Sequence, residues 1–128
     1  MRALALDFGS ARTGVAVSDE TGTIARPVGI VAHAATPAGL DTLAGLVAEH
    51  AVELVVVGLP LTLRGARGEQ AVATEAFVEE LRARLPVPVE TFDERFTTTL
   101  AQRSGSRAPE DARAAAHLLQ GWLDRRAS

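Results

Sequence analysis

The chain has 128 residues, a formal net charge of −3 and no cysteine. Its length suits one buried core, so we expect a single domain over residues 1–128. The lack of cysteine excludes disulfides, thiolate zinc sites and cysteine nucleophiles. A net negative charge argues against a broadly basic nucleic-acid-binding surface, although a protein that binds divalent cations needs carboxylates and is acidic for that reason.

The N-terminus has no long apolar segment. The apolar run Ala3–Leu6 ends at Asp7, which is far short of the apolar part of a signal peptide. No later stretch is apolar for long enough to span a membrane. The sequence therefore predicts a cytoplasmic protein without a membrane partner.

Hydrophobic patterning predicts three strands in the first part of the chain. They are expected at residues 3–6, 14–18 and 24–31. The first is apolar without alternation, as in a central strand that is covered on both faces. A short turn at Asp19–Gly22 connects the second strand to the third. This part of the sequence predicts an antiparallel meander.

The rest of the chain alternates helices with two more strands. In chain order, the expected elements are a helix from Thr36 and Pro37 to Val47, a strand at 53–58, a helix at 69–85, a strand at 87–92, a short helix from Thr97 and a helix at 109–125. A strand, a helix and a strand in succession imply a parallel crossover. Three antiparallel strands followed by two crossover strands give an α/β mixed five-stranded sheet flanked by helices. This is the order of the ribonuclease H-like fold.

Three acids occupy positions from which they can meet at one edge of this sheet. Asp7 ends the first strand, and ligand sites in open α/β sheets gather at such strand ends. Glu94 follows the fifth strand, with Asp93 beside it as a further candidate. Asp111 lies on the core-facing stripe of the last helix, in helical register with Leu118, where a carboxylate needs a partner. We expect these partners to be metal ions that the acids share.

Carboxylate oxygens without histidine or cysteine select hard cations, Mg²⁺ or Mn²⁺, over zinc. Two such ions can activate a water and stabilise the leaving oxygen of a phosphodiester. The acids therefore predict a two-metal phosphodiesterase. The competing interpretation gives the same acids ordinary roles, as caps of a turn or of a helix N-terminus.

Two loops carry arginines that can hold the phosphates of a substrate. Arg12 lies in the segment that directly follows Asp7. Arg64 and Arg67 lie in the glycine-rich loop 58–68, which lacks the residue order of a nucleotide-binding P-loop. An ordinary turn is the alternative interpretation of each loop.

The chain resembles the YqgF (RuvX) family, whose fold is similar to that of the Holliday-junction resolvase RuvC. Four segments carry the resemblance and stand in the family order. They are Leu6–Asp19, Val56–Leu61 with Gly65 and Gly68, Asp93–Thr98, and Asp111–Gln120. The resemblance implies a nuclease that processes the 5′ end of precursor 16S ribosomal RNA in ribosome biogenesis.

The resemblance also implies roles for individual residues. Asp7, Glu94 and Asp111 match the catalytic carboxylates that bind Mg²⁺ or Mn²⁺, and Arg12 and Arg95 match positions that contact phosphate. The segment between Glu94 and Asp111 is shorter than is usual in the family. We expect this segment to set how the chain grips its substrate.

Other functions stay open at this point. One is a nuclease for Holliday junctions or other branched DNA, and another is a non-catalytic RNA-binding protein. Actin-like and sugar-kinase ATPases share an Asp-x-Gly-Ser/Thr segment after their first strand, but they close two lobes around ATP and this chain has the length of one. The expected partner is a nucleic acid, RNA first, and the chain is expected to be a monomer or a homodimer.

Overall fold

The computed structural model describes residues 1–60, 68–93 and 110–127. Within these ranges the strands are β1 Ala3–Asp7, β2 Arg12–Ser18, β3 Ala25–Ala32, β4 Leu54–Leu59 and β5 Val89–Asp93. The helices there are α1 Pro37–Glu49, α2 Glu69–Arg84 and α3 Glu110–Ala127. The short helix predicted from Thr97 lies outside the described residues.

The strands form one sheet in the order β3-β2-β1-β4-β5. β1 pairs antiparallel with β2 and parallel with β4, and β5 is parallel to β4. The predicted mixed sheet with a central first strand is therefore confirmed. Because β1, β4 and β5 run in the same direction, their carboxyl ends lie at one edge of the sheet, with β4 between the other two.

Both faces of the sheet are covered, which is why the central strands are apolar throughout. Leu4 and Leu6 of β1 belong to the core cluster under α1 and α2. Ala3 and Ala5 alternate with them and belong to the cluster under α3, together with Ala16 of β2. The α3 face is thus lined by small side chains near its centre, which leaves room for a helix that lies close to the sheet.

Local signals explain most element boundaries. The Thr36 hydroxyl accepts a hydrogen bond from the amide of Gly39 at 3.1 Å, so Thr36 caps α1 as predicted. β5 starts at Val89 rather than at residue 87, because Pro88 has no N–H to donate to a strand ladder. Every helix in the described part of the chain is too short or too polar to cross a lipid bilayer.

The carboxylate of Asp19 holds the turn between β2 and β3. It accepts hydrogen bonds from the hydroxyl of Thr21 at 2.7 Å and from the amides of Thr23 and Ile24 at 2.8 and 3.1 Å. These bonds, the one from Thr21 first, lower the pKa of Asp19 from 3.8 to about 2. The charged form of Asp19 is therefore favoured in the folded protein.

We expect Asp19→Asn to lower the melting temperature at pH 7, because the amide has one acceptor oxygen and no charge. A depressed pKa adds stability above the unfolded value of 3.8, and this stability is lost as the pH falls towards about 2. The difference in melting temperature between the two proteins should therefore narrow below pH 3.8. Circular dichroism melts from neutral to acidic pH measure it, with Glu20→Gln as the control for net charge. A difference that grows on acidification contradicts this role.

Candidate functional site

Asp7 is the last residue of β1 and is partly buried. It pairs directly with Gly14 of β2, and directly paired residues of antiparallel strands project to the same face. Side chains alternate along a strand, so Asp7 shares the face of Ala3 and Ala5, which pack under α3. The Asp7 carboxylate therefore lies on the α3 face, at the carboxyl end of the central strand.

The first turn of α3 crosses the sheet directly over Gly14. A Cβ atom built on Gly14 would lie 1.8 Å from the carbonyl oxygen of Asp111. Only a residue without a side chain permits such an approach of two backbones. Because Gly14 is the pairing partner of Asp7, this contact brings Asp111 to the strand next to Asp7. Two of the three residues predicted to supply carboxylates thus lie on neighbouring parts of the fold.

Asp111 has a protein partner in this arrangement. The Arg12 Nε lies 3.3 Å from the Asp111 Oδ2, and the two side chains are 66% and 34% exposed. The sequence predicted that Asp111 faces inward, whereas its carboxylate is partly exposed and pairs with Arg12. The binding of metal ions by Asp111 stays a prediction. Exposed pairs of this kind contribute roughly 0–1 kcal/mol, so Arg12 can leave Asp111 at little cost.

The loop between β1 and β2 is fixed from two sides. The Phe8 ring stacks on Phe77 of α2, with centroids 4.3 Å apart and an interplanar angle of 17°. The Gln70 Nε2 donates a hydrogen bond to the carbonyl oxygen of Phe8 at 3.2 Å. On the other side, the amide of His33 donates to the carbonyl oxygen of Ala11 at 3.0 Å. The residues at the two ends of this loop are therefore held in position.

Asp93 lies on the other face of the sheet. Phe92 packs in the core cluster under α3, and Thr91 lines a pocket with α2 residues such as Val78 and Arg82. Asp93 shares the face of Thr91, because alternate residues of a strand point the same way. Its carboxylate is therefore separated from Asp7 by the sheet.

The remaining predicted site residues, Glu94, Arg95, Arg64 and Arg67, lie outside the described residues. Among the residues that are described, no group of three or more His, Cys, Asp or Glu side chains is placed to hold a metal ion. Asp7 and Asp111 supply two carboxylates. Oxygen donors of this kind suit Mg²⁺ or Mn²⁺.

The sequence interpretation overlooked two residues that build this site. It placed Gly14 at the start of a strand and at the end of the loop after Asp7, but did not expect the close approach of another backbone that a glycine within a strand signals. It gave no role to Gln70. The hydrogen bond from the Gln70 side chain to the Phe8 carbonyl joins residues that are 62 positions apart, so no local pattern predicts it.

Comparison with known proteins places the chain in a family. The sequence model described as "RuvX: Holliday junction resolvase" matches residues 1–125. The chain belongs to the RuvX family. The predicted resemblance is thus confirmed, and the match spans every element that the structure describes up to the last turn of α3.

Relatives of this RuvX protein are similar over nearly its whole length. A protein of Anaeromyxobacter sp. (strain Fw109-5) named "Putative pre-16S rRNA nuclease" is 44% identical, with 98% of each chain covered. A protein of Nocardia farcinica (strain IFM 10152) with the same name is 42% identical, with 99% of this chain and 79% of the relative covered.

Solved structures of two resolvases have a similar fold. RuvC of T. thermophilus, in complex with a Holliday junction substrate, has a TM-score of 0.57 and 15% identity, and the match covers 100% of this chain and 96% of RuvC. The Fowlpox virus resolvase with its Holliday junction DNA has a TM-score of 0.62 and 11% identity over the full length of both chains. The likeness confirms the predicted ribonuclease H-like fold.

We expect Gly14→Ala to push the first turn of α3 off the sheet. Overfilling of a packed contact typically costs about 1–3 kcal/mol, which urea unfolding measures. Gly45→Ala on α1 is the matched control, because no atom lies within 4 Å of a Cβ built there. That variant should gain roughly 0.5–1 kcal/mol from helix propensity. Equal effects of the two substitutions would refute the close contact at Gly14.

Proposed function

We propose that this RuvX protein is a cytoplasmic, metal-dependent nuclease that processes the 5′ end of precursor 16S ribosomal RNA. The names of its relatives, which align with nearly the whole chain, support this function. The observation that carries the proposal is the approach of Asp111 to the strand beside Asp7, over Gly14. It joins acids from opposite ends of the chain at the edge of the sheet where ligand sites gather.

In this proposal Asp7, Glu94 and Asp111 hold Mg²⁺ or Mn²⁺. Phe92 lies on the α3 face with Asp7, and Asp93 points to the opposite face. The position of Asp93 on the opposite face disfavours it as the third ligand, and the sequence proposes Glu94 for that role. When bound, two such ions supply an activated water and stabilise the leaving oxygen of a phosphodiester.

Arg12 is the proposed phosphate contact beside these carboxylates. Its guanidinium has a planar set of donors that matches a phosphate group. The side chain is 66% exposed and its bond to Asp111 is long, at 3.3 Å, so it can turn to a substrate without a large loss of stability. Arg64, Arg67 and Arg95 are proposed as further phosphate contacts from the sequence.

We expect Asp7→Asn to abolish Mn²⁺-dependent cleavage of end-labelled RNA, followed on denaturing gels. Loss of a group that merely supports a metal ligand costs about 10–100-fold, so loss of a ligand should cost more than about 100-fold. Asp41→Asn is the control, because it removes the same charge from α1 on the other face of the sheet. Full activity in Asp7→Asn would exclude the assigned site.

A nuclease for branched DNA is the second candidate. The description of the family and the RuvC-like fold favour it. Cleavage of single-stranded RNA and of a four-way DNA junction by the same preparation separates the two, and we expect RNA to be the better substrate. RNA binding that survives chelation, with no cleavage of either substrate, would instead indicate a non-catalytic RNA-binding protein.

The pairing of Arg12 with Asp111 predicts opposite effects of Arg12→Gln on two ligands. Without RNA, the variant should bind Mn²⁺ about two- to fivefold more tightly, because the guanidinium no longer competes for the Asp111 carboxylate, a gain within the roughly 0–1 kcal/mol of an exposed pair. Its affinity for RNA should fall, because a phosphate contact is lost. Calorimetry and fluorescence anisotropy measure the two. Arg26→Gln, on the other face of the sheet, should change neither, and weaker Mn²⁺ binding in Arg12→Gln would contradict the competition.

A further inference from the structure

A groove lies between the last turns of α3 and the edge strand β5. Its walls and rim are formed by Glu90, Phe92, Trp122, Arg125 and Arg126. Its volume is about 310 Å³, which is at the lower end of the range for ligand pockets, roughly 300–1,000 Å³. The proposed nuclease site uses none of these residues.

Two arginines of the groove are stacked on aromatic rings. The guanidinium carbon of Arg125 lies 5.9 Å from the centre of the Phe92 ring, and that of Arg126 lies 5.1 Å from the Trp122 ring. Both distances fall within the roughly 6 Å range of cation–π contacts. Trp122 is only 8% exposed, so its ring is a fixed support. Each contact contributes roughly 0.5–1 kcal/mol at an exposed site, so the rings favour positions of the two guanidiniums beside the groove.

The groove is on the same face of the sheet as Asp7. Phe92 pairs with Gly58 of β4, one residue beyond Val57, the partner of Leu6. Phe92 therefore lies level with the end of β1 and two strands away, at about 10 Å. Arg125 reaches the Phe92 ring from the last turns of α3. Along the helix it lies about 21 Å from Asp111, at 1.5 Å per residue.

This span fits a short length of a nucleic-acid strand. A strand that reaches the proposed carboxylates can therefore also reach the arginines of the groove. The groove thus lies on the same face of the sheet as the proposed site, at the other end of α3.

The chemistry of the groove favours a single nucleic-acid strand. Guanidiniums bind phosphates, and aromatic walls accept the flat faces of bases. The one acid, Glu90, matches the amino groups that base edges present. A protein strand is disfavoured at this edge, because the Val89 carbonyl already accepts bonds from Arg82 Nε and Nη2 at 3.2 and 2.9 Å.

We propose that this groove binds a single strand of the substrate at a distance from the bond that is cleaved. Arg125 and Arg126 contact successive phosphates, while Phe92 and the exposed edge of Trp122 contact a base. The inference rests on the proposed function, since it takes nucleic acid as the substrate. It adds a binding site that cleavage itself does not require.

The test is the affinity of Arg125→Gln/Arg126→Gln for a fluorescein-labelled single-stranded RNA, measured by anisotropy in EDTA so that no metal-dependent cleavage occurs. Each phosphate contact on a single strand contributes about 0.7 to the slope of log affinity against log salt. We expect the slope to become shallower by about 1.4 and the affinity to fall about tenfold or more at low salt.

The matched control is Arg26→Gln/Arg84→Gln, which removes the same charge. Arg26 pairs in register with Val17, a residue of the core under α1 and α2, and Arg84 forms an ion pair with Asp41 of α1. Both therefore lie on the other face, and the control should bind RNA within about twofold of the parent at low salt.

A second variant separates charge from stacking. Arg125→Lys/Arg126→Lys keeps both charges but loses the planar group that stacks on the rings. We expect this variant to keep the salt slope of the parent and to bind RNA more weakly. It also provides a test if the glutamine variant does not fold, because lysine keeps both the charge and a long aliphatic chain.

Equal losses in the groove variant and in the control would overturn the proposal, because net charge alone would then explain them. An equal loss on a duplex probe would overturn the choice of a single strand. The proposed groove site and the proposed nuclease function are refuted by different results. A nuclease whose RNA affinity is unchanged in the groove variant has no such groove site, whereas groove-dependent RNA binding by a parent chain that cleaves nothing refutes only the nuclease function.

Discussion

The arrangement depends on one steric constraint, the contact of the α3 backbone with β2 at Gly14. Any side chain there would collide with the carbonyl of Asp111, which lies 1.8 Å from the position of a Cβ. The alanines that face α3 from β1 extend the same requirement along the helix. Small residues on this face thus do more than fill a core, because they set how near α3 can come to the sheet. That nearness places Asp111 at the strand beside Asp7.

Local sequence patterns were sufficient to predict the fold. The uninterrupted apolar run of β1 identified a central strand, and Thr36 with Pro37 marked the start of α1, because burial and capping act on residues that are close in sequence. The start of β5 was wrong by two residues, since the pattern counted Val87 as part of the strand and gave too little weight to Pro88. These are errors at a boundary, where periodicity carries least information.

The candidate site was less predictable, because its contacts join distant parts of the chain. The acids were proposed from their positions at strand and helix ends, yet nothing in the pattern around Asp111 indicated that Arg12 would be its partner. The groove between α3 and β5 could not be predicted either, because buried apolar residues such as Phe92 and Trp122 give no local sign that they also line a groove. The net charge of −3 does not show that arginines and carboxylates lie on the same face of the sheet. Charge averaged over a chain describes solubility better than it describes a binding face.

The position of α3 in the chain has a consequence for when the site can exist. A ribosome makes the sheet strands first, and β1 and β2 can pair while the last helix is still unmade. Asp111 reaches Gly14 only after α3 has been synthesised and has packed on the finished sheet. Until then Asp111 is not positioned beside the strand that pairs with Asp7. A nascent chain therefore cannot bring Asp7 and Asp111 together until α3 has emerged from the ribosome.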